Sequence, residues 1–195
     1  MGKLQELENK LNELTEEFNN YKNEVHNFAM PKEPGDEFEF YGIKWIVLEI
    51  NDKQVKCIVK DFYNNDMKLK FDRNNNNWVT SDLRGFLNND YCEQFKNFLV
   101  YQERDLLSLD GQTQYGKCRD RVTLLTVDEY RKYRKYLPNT NGWWWLCTPY
   151  STEDNKINYS VCTVVHNEGV IGSQCFDVLG CYARPVCVFD FNSLF

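Results

Sequence analysis

Histidine is nearly absent from this 195-residue chain, with only His26 and His166, and the eight cysteines include no Cys-x-x-Cys pair. The second shortage argues against a zinc cage, which draws its thiolates from closely paired cysteines. The first leaves His166 as the one imidazole outside the N-terminal helix on which a Cys–His nucleophile pair would depend. Gly-rich phosphate loops and a nucleophile elbow are missing as well. The expectation is a non-enzymatic protein with no cofactor and no metal. No run approaches the roughly 20 apolar residues that span a bilayer, so membrane insertion is not expected. Positive charge is also in deficit. The net charge of −6 repels nucleic acid and anionic membrane surfaces alike, and neither is expected as a partner.

Met1-Gly2-Lys3-Leu4 runs straight into charged, periodic sequence without an apolar signal segment. The chain is therefore expected to be made in the cytoplasm without a signal peptide, with its thiols reduced. The periodicity is strict. Leu4, Leu7, Leu11, Leu14, Phe18, Tyr21, Val25 and Phe28 are spaced 3, 4, 3, 4, 3, 4, 3, with polar residues between them. This two-in-seven seam is narrower than the stripe of a helix packed on its own domain, and it predicts a coiled coil over residues 1–30. A homo-oligomer is expected, and the bulk of Phe18 and Tyr21 favours a trimer over a dimer. Pro31 to Gly35 then breaks the helix and predicts a stiff, extended connector.

Residues 36–195 read as α+β. Glu37 to Ile50 is aromatic and β-branched with a break at Tyr41-Gly42, predicting a strand pair or a bent strand. Another strand is expected from Gln54 to Phe62, after the turn-like Asn51-Asp52. Ser81 is placed to cap a short helix, and a second helix is expected from Glu93 to Leu99. Asp110 to Asp120 reads as a surface loop. Thr126 and Glu129 form a capping box that opens a helix running to about Leu137, whose tyrosines alternate with basic residues on a solvated face. Trp143 to Leu146 and Pro185 to Phe189 read as buried strands, with at least one or two of the adjacent tryptophans in the core. Between them lies an irregular, loop-rich stretch in Tyr, Ser, Asn, Gly and Cys.

Four segments, in order, resemble a known pattern. They are Trp78 with Ser81-Asp82-Leu83-Arg84-Gly85-Phe86-Leu87-Asn88, Arg121 to Tyr130, Trp144-Trp145-Leu146-Cys147-Thr148-Pro149, and Tyr182-Ala183-Arg184-Pro185-Val186. Together they resemble C-type-lectin-like domains of the formylglycine-generating-enzyme branch, a bacterial and phage group that includes variable proteins of diversity-generating retroelements. Two departures stand out. Cys147 occupies a place where the family has Arg, and Cys181-Tyr182 replace Gly-Val. The resemblance implies a C-type-lectin-like fold over roughly residues 36–192, behind the coiled-coil helix. It also implies adenine-directed diversification of Asn codons, whose products include Tyr, Ser, Cys, His, Val and Leu. Tyr159, Ser160, Cys162, His166, Val170, Ser173, Cys175, Val178, Leu179, Cys181 and Tyr182 fall in that set and are the expected ligand-contacting residues. Glu168 and Gln174 cannot arise this way and are expected to be scaffold.

The implied function is recognition of a protein or cell-surface ligand, by a protein displayed or associated with a virion. Tyr supplies wide contact area at low entropy cost, and Ser supplies adaptable hydrogen bonds. The oxidase chemistry of the formylglycine branch is not expected, because Cys187 lies beyond the Arg-Pro motif and Cys175 and Cys181 fall at diversified positions. The sugar-binding Glu-Pro-Asn and Trp-Asn-Asp motifs are missing too. A structural or assembly protein of a phage or surface particle, with ordinary C-terminal loops, is the competing reading.

Overall fold

The computed structural model describes residues 2–27, 29–63, 68–152, 159–165 and 168–194. Helix α1 runs from Gly2 to Asn27. Leu4, Leu7, Leu11, Leu14 and Phe18 lie on it with 57–66% of their surface exposed. Phe28 and the side chains of Tyr21 and Val25 lie outside the described residues. No described helix is long and apolar enough to cross a membrane.

The connector is folded back rather than extended. The Asp36 carboxylate accepts the Lys32 and Glu33 amides at 2.8 and 3.1 Å. Gly35 N–H then donates to Val47 O at 2.9 Å, and Val47 N–H returns to Asp36 O. An Asp three and four residues downstream captures free amides that the prolines leave in place.

The remainder is mixed α+β with three antiparallel sheets. The largest joins β1 (Glu37–Phe40), β2 (Ile43–Asn51), β3 (Gln54–Val59), β10 (Val186–Asp190) and β6 (Val122–Thr123) in the order β1-β2-β3-β10-β6. The expected break at Tyr41-Gly42 is a two-residue hairpin turn, with positive φ at both residues. Two strands arise where none was expected, β4 (Gln102–Asp105) and β5 (Lys117–Asp120), paired to each other. The third sheet holds β7 (Trp144–Pro149), β8 (Ser160–Val165) and β9 (Val170–Cys175) in that order. Helix α2 (Asp82–Phe86) starts at Ser81, whose Oγ accepts Arg84 N–H, and passes into a π turn through Tyr91. The second expected helix is a 3-10 segment, Glu93–Phe98. Helix α3 (Val127–Tyr133) opens on the Thr126–Glu129 capping box.

Apolar residues fill two cores, and several strands are buried on both faces. In β2, Trp45 and Val47 face the larger core while Ile46 and Leu48 face the smaller. In β7, Trp145 and Trp144 divide in the same way, with Trp143 packed at the margin. Such strands read as continuous apolar runs because neither face meets water.

The four motif segments stitch these layers together. Trp78 Nε1 and Arg84 Nε both donate to the buried Asp120 carboxylate at 2.8 Å. Asn88 Oδ1 accepts the Arg121 and Val122 amides at 3.0 Å, while its Nδ2 donates to Val122 O at 2.7 Å. Arg184 is fully buried; its guanidinium lies 4.9 Å over the Trp144 ring and donates to Val59 O and Lys60 O. Burial lowers the Arg184 pKa to about 10. Cys147 packs in the larger core with its thiol 3.3 Å from Leu124 O.

Candidate functional site

Strands β8 and β9 pair over six positions from Ser160↔Cys175 to Val165↔Val170, so the stretch expected to be irregular contains a regular hairpin. Its composition obscures this, because β8 is a central strand. Val161 faces the larger core and Cys162 the smaller, which removes the polar–apolar alternation that marks a half-exposed strand.

The hairpin is pinned at three places. Asn76, fully buried, donates from Nδ2 to Ser151 O at 2.8 Å and to Ser160 O at 2.9 Å. Tyr115 Oη donates back to Asn76 Oδ1 at 2.7 Å, closing the network. At the hairpin turn, Tyr130 Oη donates to Gly169 O at 2.6 Å, and Gly169 has φ +64°. A side chain there is strained by this backbone conformation, while the groups a Cβ would meet, Arg134 Nη2 and Asn139 Oδ1, are ends of flexible side chains that can shift. Beyond β9, Phe176 O accepts the Phe71 and Asp72 amides at 3.0 and 3.1 Å. The Asp72 carboxylate in turn accepts the Asn74, Asn75 and Asp82 amides.

On this frame the expected ligand-contacting residues separate. Tyr159, Val170 and Leu179 are 60%, 50% and 66% exposed. Ser160, Ser173, Cys175, Val178 and Tyr182 are half-buried. The register places Ser160, Ser173 and Cys175 on one face of the hairpin and Val170 on the other. Tyr182 is drawn away from them. Its ring stacks on Phe62 at 4.1 Å, and it lines a cleft of about 460 Å³ with Asn139, Thr140 and Asn141. His166 lies outside the described residues.

Two expectations are corrected. Cys162 (0% exposed) and Cys181 (1%) are core residues and present nothing to a ligand. Cys162 occupies the inner face of a doubly covered strand, and Cys181 is bridged to Leu69, whose amide donates to Cys181 O at 2.8 Å. Residue type alone does not report which face of a strand a position takes. Glu168, expected as scaffold, is exposed, and Gln174 is half-buried. Tyr150 was not among the expected residues, yet it is 43% exposed and its amide donates to Ser160 O at 3.0 Å. Its place directly after a buried strand and before a polar run was the available signal.

All eight cysteines are free thiols. Burial pushes Cys147, Cys162 and Cys181 up to about 12, which leaves them protonated and weakly nucleophilic at neutral pH. Cys175 is raised by its partial burial and by its hydrogen bond with the Asp177 carboxylate. Among the described residues, no three His, Cys, Asp or Glu side chains gather as a metal site requires. A cavity of about 850 Å³ is lined by Asp61, Phe62, Tyr63, Asp90, Tyr91 and Glu93 among others, and by none of the described contact residues. No family model, curated protein or solved structure matches this chain.

Proposed function

We propose that this chain is a non-enzymatic binding protein of the diversity-generating-retroelement variable type, with a lectin-like domain that meets a protein or cell-surface ligand through its β8–β9 region. The carrying observation is the contrast between Tyr159, Val170 and Leu179, at least half exposed, and the buried strands β7 and β10 that bracket them. Exposed apolar and aromatic side chains on a clamped hairpin match the chemistry of a recognition surface. They contribute little to the core, so they are free to change.

Oligomerisation through α1 belongs to the same proposal. In the heptad frame of the leucines, Lys3 and Glu17 take g positions, and Glu8 and Lys22 take the e positions of the next heptads. A parallel, in-register assembly sets Lys3 beside Glu8 of the next helix and Glu17 beside Lys22, both attractive pairs. Linked copies multiply weak contacts into avidity. A trimer suits the aromatic core positions.

The experiment is a library randomised at Tyr159, Ser160, Val170, Ser173, Val178 and Leu179 in the full chain. Most members are expected to keep the parental melting temperature, and selection on a displayed cell-surface protein is expected to return tight binders. General loss of folding across the library refutes the proposal and favours a structural or assembly role.

A further inference from the structure

Strand β9 is the outer strand of its sheet, and no described strand pairs with its free side. The alternation of an antiparallel ladder tells which backbone groups face outward. Tyr150 N–H and Asn76 Nδ2 both reach Ser160 O, so the carbonyl of Ser160 points toward β7 and away from β9. Phe176 N–H donates to Tyr159 O at 3.0 Å, so that neighbouring pair is the hydrogen-bonded one. Counting along the register, Gln174, Gly172 and Val170 bond inward to β8. Ile171 and Ser173 present their N–H and C=O groups outward, two residues apart.

Natural sheets guard such an edge with charge, proline or a bulge. Residues 170–175 contain neither a charged residue nor a proline, and the six-position register runs without a shift. Charges stand only beyond the two ends, with exposed Glu168 before the strand and exposed Asp177 after it. Asp177 forms no salt bridge among the described residues.

We infer that β9 takes up an extended segment of a polypeptide ligand as an added strand, one with an uncharged, β-branched or aromatic centre and a basic residue placed against Asp177. Main-chain bonds to Ile171 and Ser173 supply affinity, and the exposed side chains around the edge supply selectivity. This rests on the reading of the β8–β9 region as the recognition surface and specifies the class of ligand it takes.

The test uses the full chain and a displayed library of short linear peptides. The tightest binder is resynthesised in two forms, each N-methylated at alternate residues, one for each edge of an extended strand. One form is expected to lose binding at least tenfold and the other to keep it, because only one edge faces β9. Peptide binding is expected to slow amide exchange at Ile171 and Ser173. Ser173→Pro removes an outward donor while sparing the β8–β9 ladder, and it is expected to weaken binding by roughly three- to tenfold, the size of one lost hydrogen bond. If that variant fails to fold, the two methylated peptides still decide.

Equal tolerance of both methylated forms overturns the inference. If Tyr159→Ala and Leu179→Ala nonetheless abolish binding, the surface stands and only strand addition falls. Peptides that perturb nothing between residues 159 and 182 sink both readings. Failure to select any peptide, or amides at Ile171 and Ser173 already protected in the peptide-free oligomer by a second copy, also overturns strand addition.

Discussion

Replacing Leu7, Leu11 and Leu14 by Ser is expected to dissolve the assembly and melt α1 while leaving the rest of the fold intact. These side chains are 58%, 65% and 57% exposed on the single chain, so in the proposed assembly more than half of each is available for burial. Full burial of a leucine is worth about 1.5–3 kcal/mol, so each recovers about 1–2 kcal/mol on association, and the three together about 3–5 kcal/mol per chain. Across three chains this reaches about 10 kcal/mol, and each 1.4 kcal/mol is a factor of about ten in the equilibrium constant. Half of that is enough to separate the chains at micromolar concentration. The helix depends on the same contacts, because polar helices of this length gain most of their stability from packing. Helix α1 holds 26 α-helical residues against 5 in α2 and 7 in α3, so its loss removes more than half of the α-helical circular dichroism. Sedimentation velocity and the ellipticity at varied concentration provide the readouts. A wild-type chain that sediments as a monomer with full helicity at high dilution, or a triple variant that keeps the parental mass, refutes the reasoning.

Asn76→Ala removes two donated bonds and the Oδ1 that accepts from Tyr115 Oη, and is expected to cost about 2–4 kcal/mol in urea unfolding. The exposed Asn74→Ala is expected to stay within about 0.5 kcal/mol. Leu179→Asn is expected to be similarly neutral, whereas Cys162→Asn, which buries an amide without a partner, is expected to cost about 2 kcal/mol or more. Burial acts to raise the Glu129 carboxyl, but the Arg104 and Lys56 charges beside it outweigh burial and hold it below 4.5. Its folded pKa is thus depressed, so its stabilisation is complete above the unfolded value and is lost as pH falls from about 4.5 through the folded pKa. Glu129→Gln is expected to lose about 3 kcal/mol at neutral pH and to flatten that part of the acid profile, because Arg104 and Lys56 are left without their carboxylate.

Local signals carried much of the secondary structure into the sequence. The Thr126 capping box, the Ser81 cap and the Tyr41-Gly42 turn each act within four residues, and each stands at the expected place. The β4–β5 pair was not legible, because its residues are mostly charged and the partners of two of them lie in distant segments, Glu129 for Arg104 and Trp78 for Asp120. The hairpin β8–β9 was hidden for the opposite reason, since both faces of β8 are covered. Of the contact residues that the resemblance implies, Tyr159, Val170 and Leu179 are exposed. Cys162 and Cys181 were misplaced, because a small apolar side chain suits an inner strand face as well as a paratope. Asn76 resembles its three loop neighbours in sequence, and only its three partners, 39 to 84 residues away, distinguish it.

A recognition surface that changes its side chains needs some part of its binding energy to be indifferent to them. The β8–β9 arrangement meets that need in physical terms. Asn76, Tyr130 and the Phe71–Asp72 amides hold the hairpin through its backbone at Ser160, Gly169 and Phe176, so substitution of the exposed side chains leaves these anchors in place. The outward groups at Ile171 and Ser173 are likewise backbone, and they stay aligned because the hairpin is already ordered before a ligand arrives. Ordering costs that accompany a flexible loop on binding are thereby avoided. On this reading, main-chain pairing gives every variant a modest, constant affinity, and the side chains add selectivity. Avidity through α1 brings weak single contacts into a useful range. A variant with proline at Ser173 breaks the first term alone, which makes that position the sharpest probe of how the terms divide.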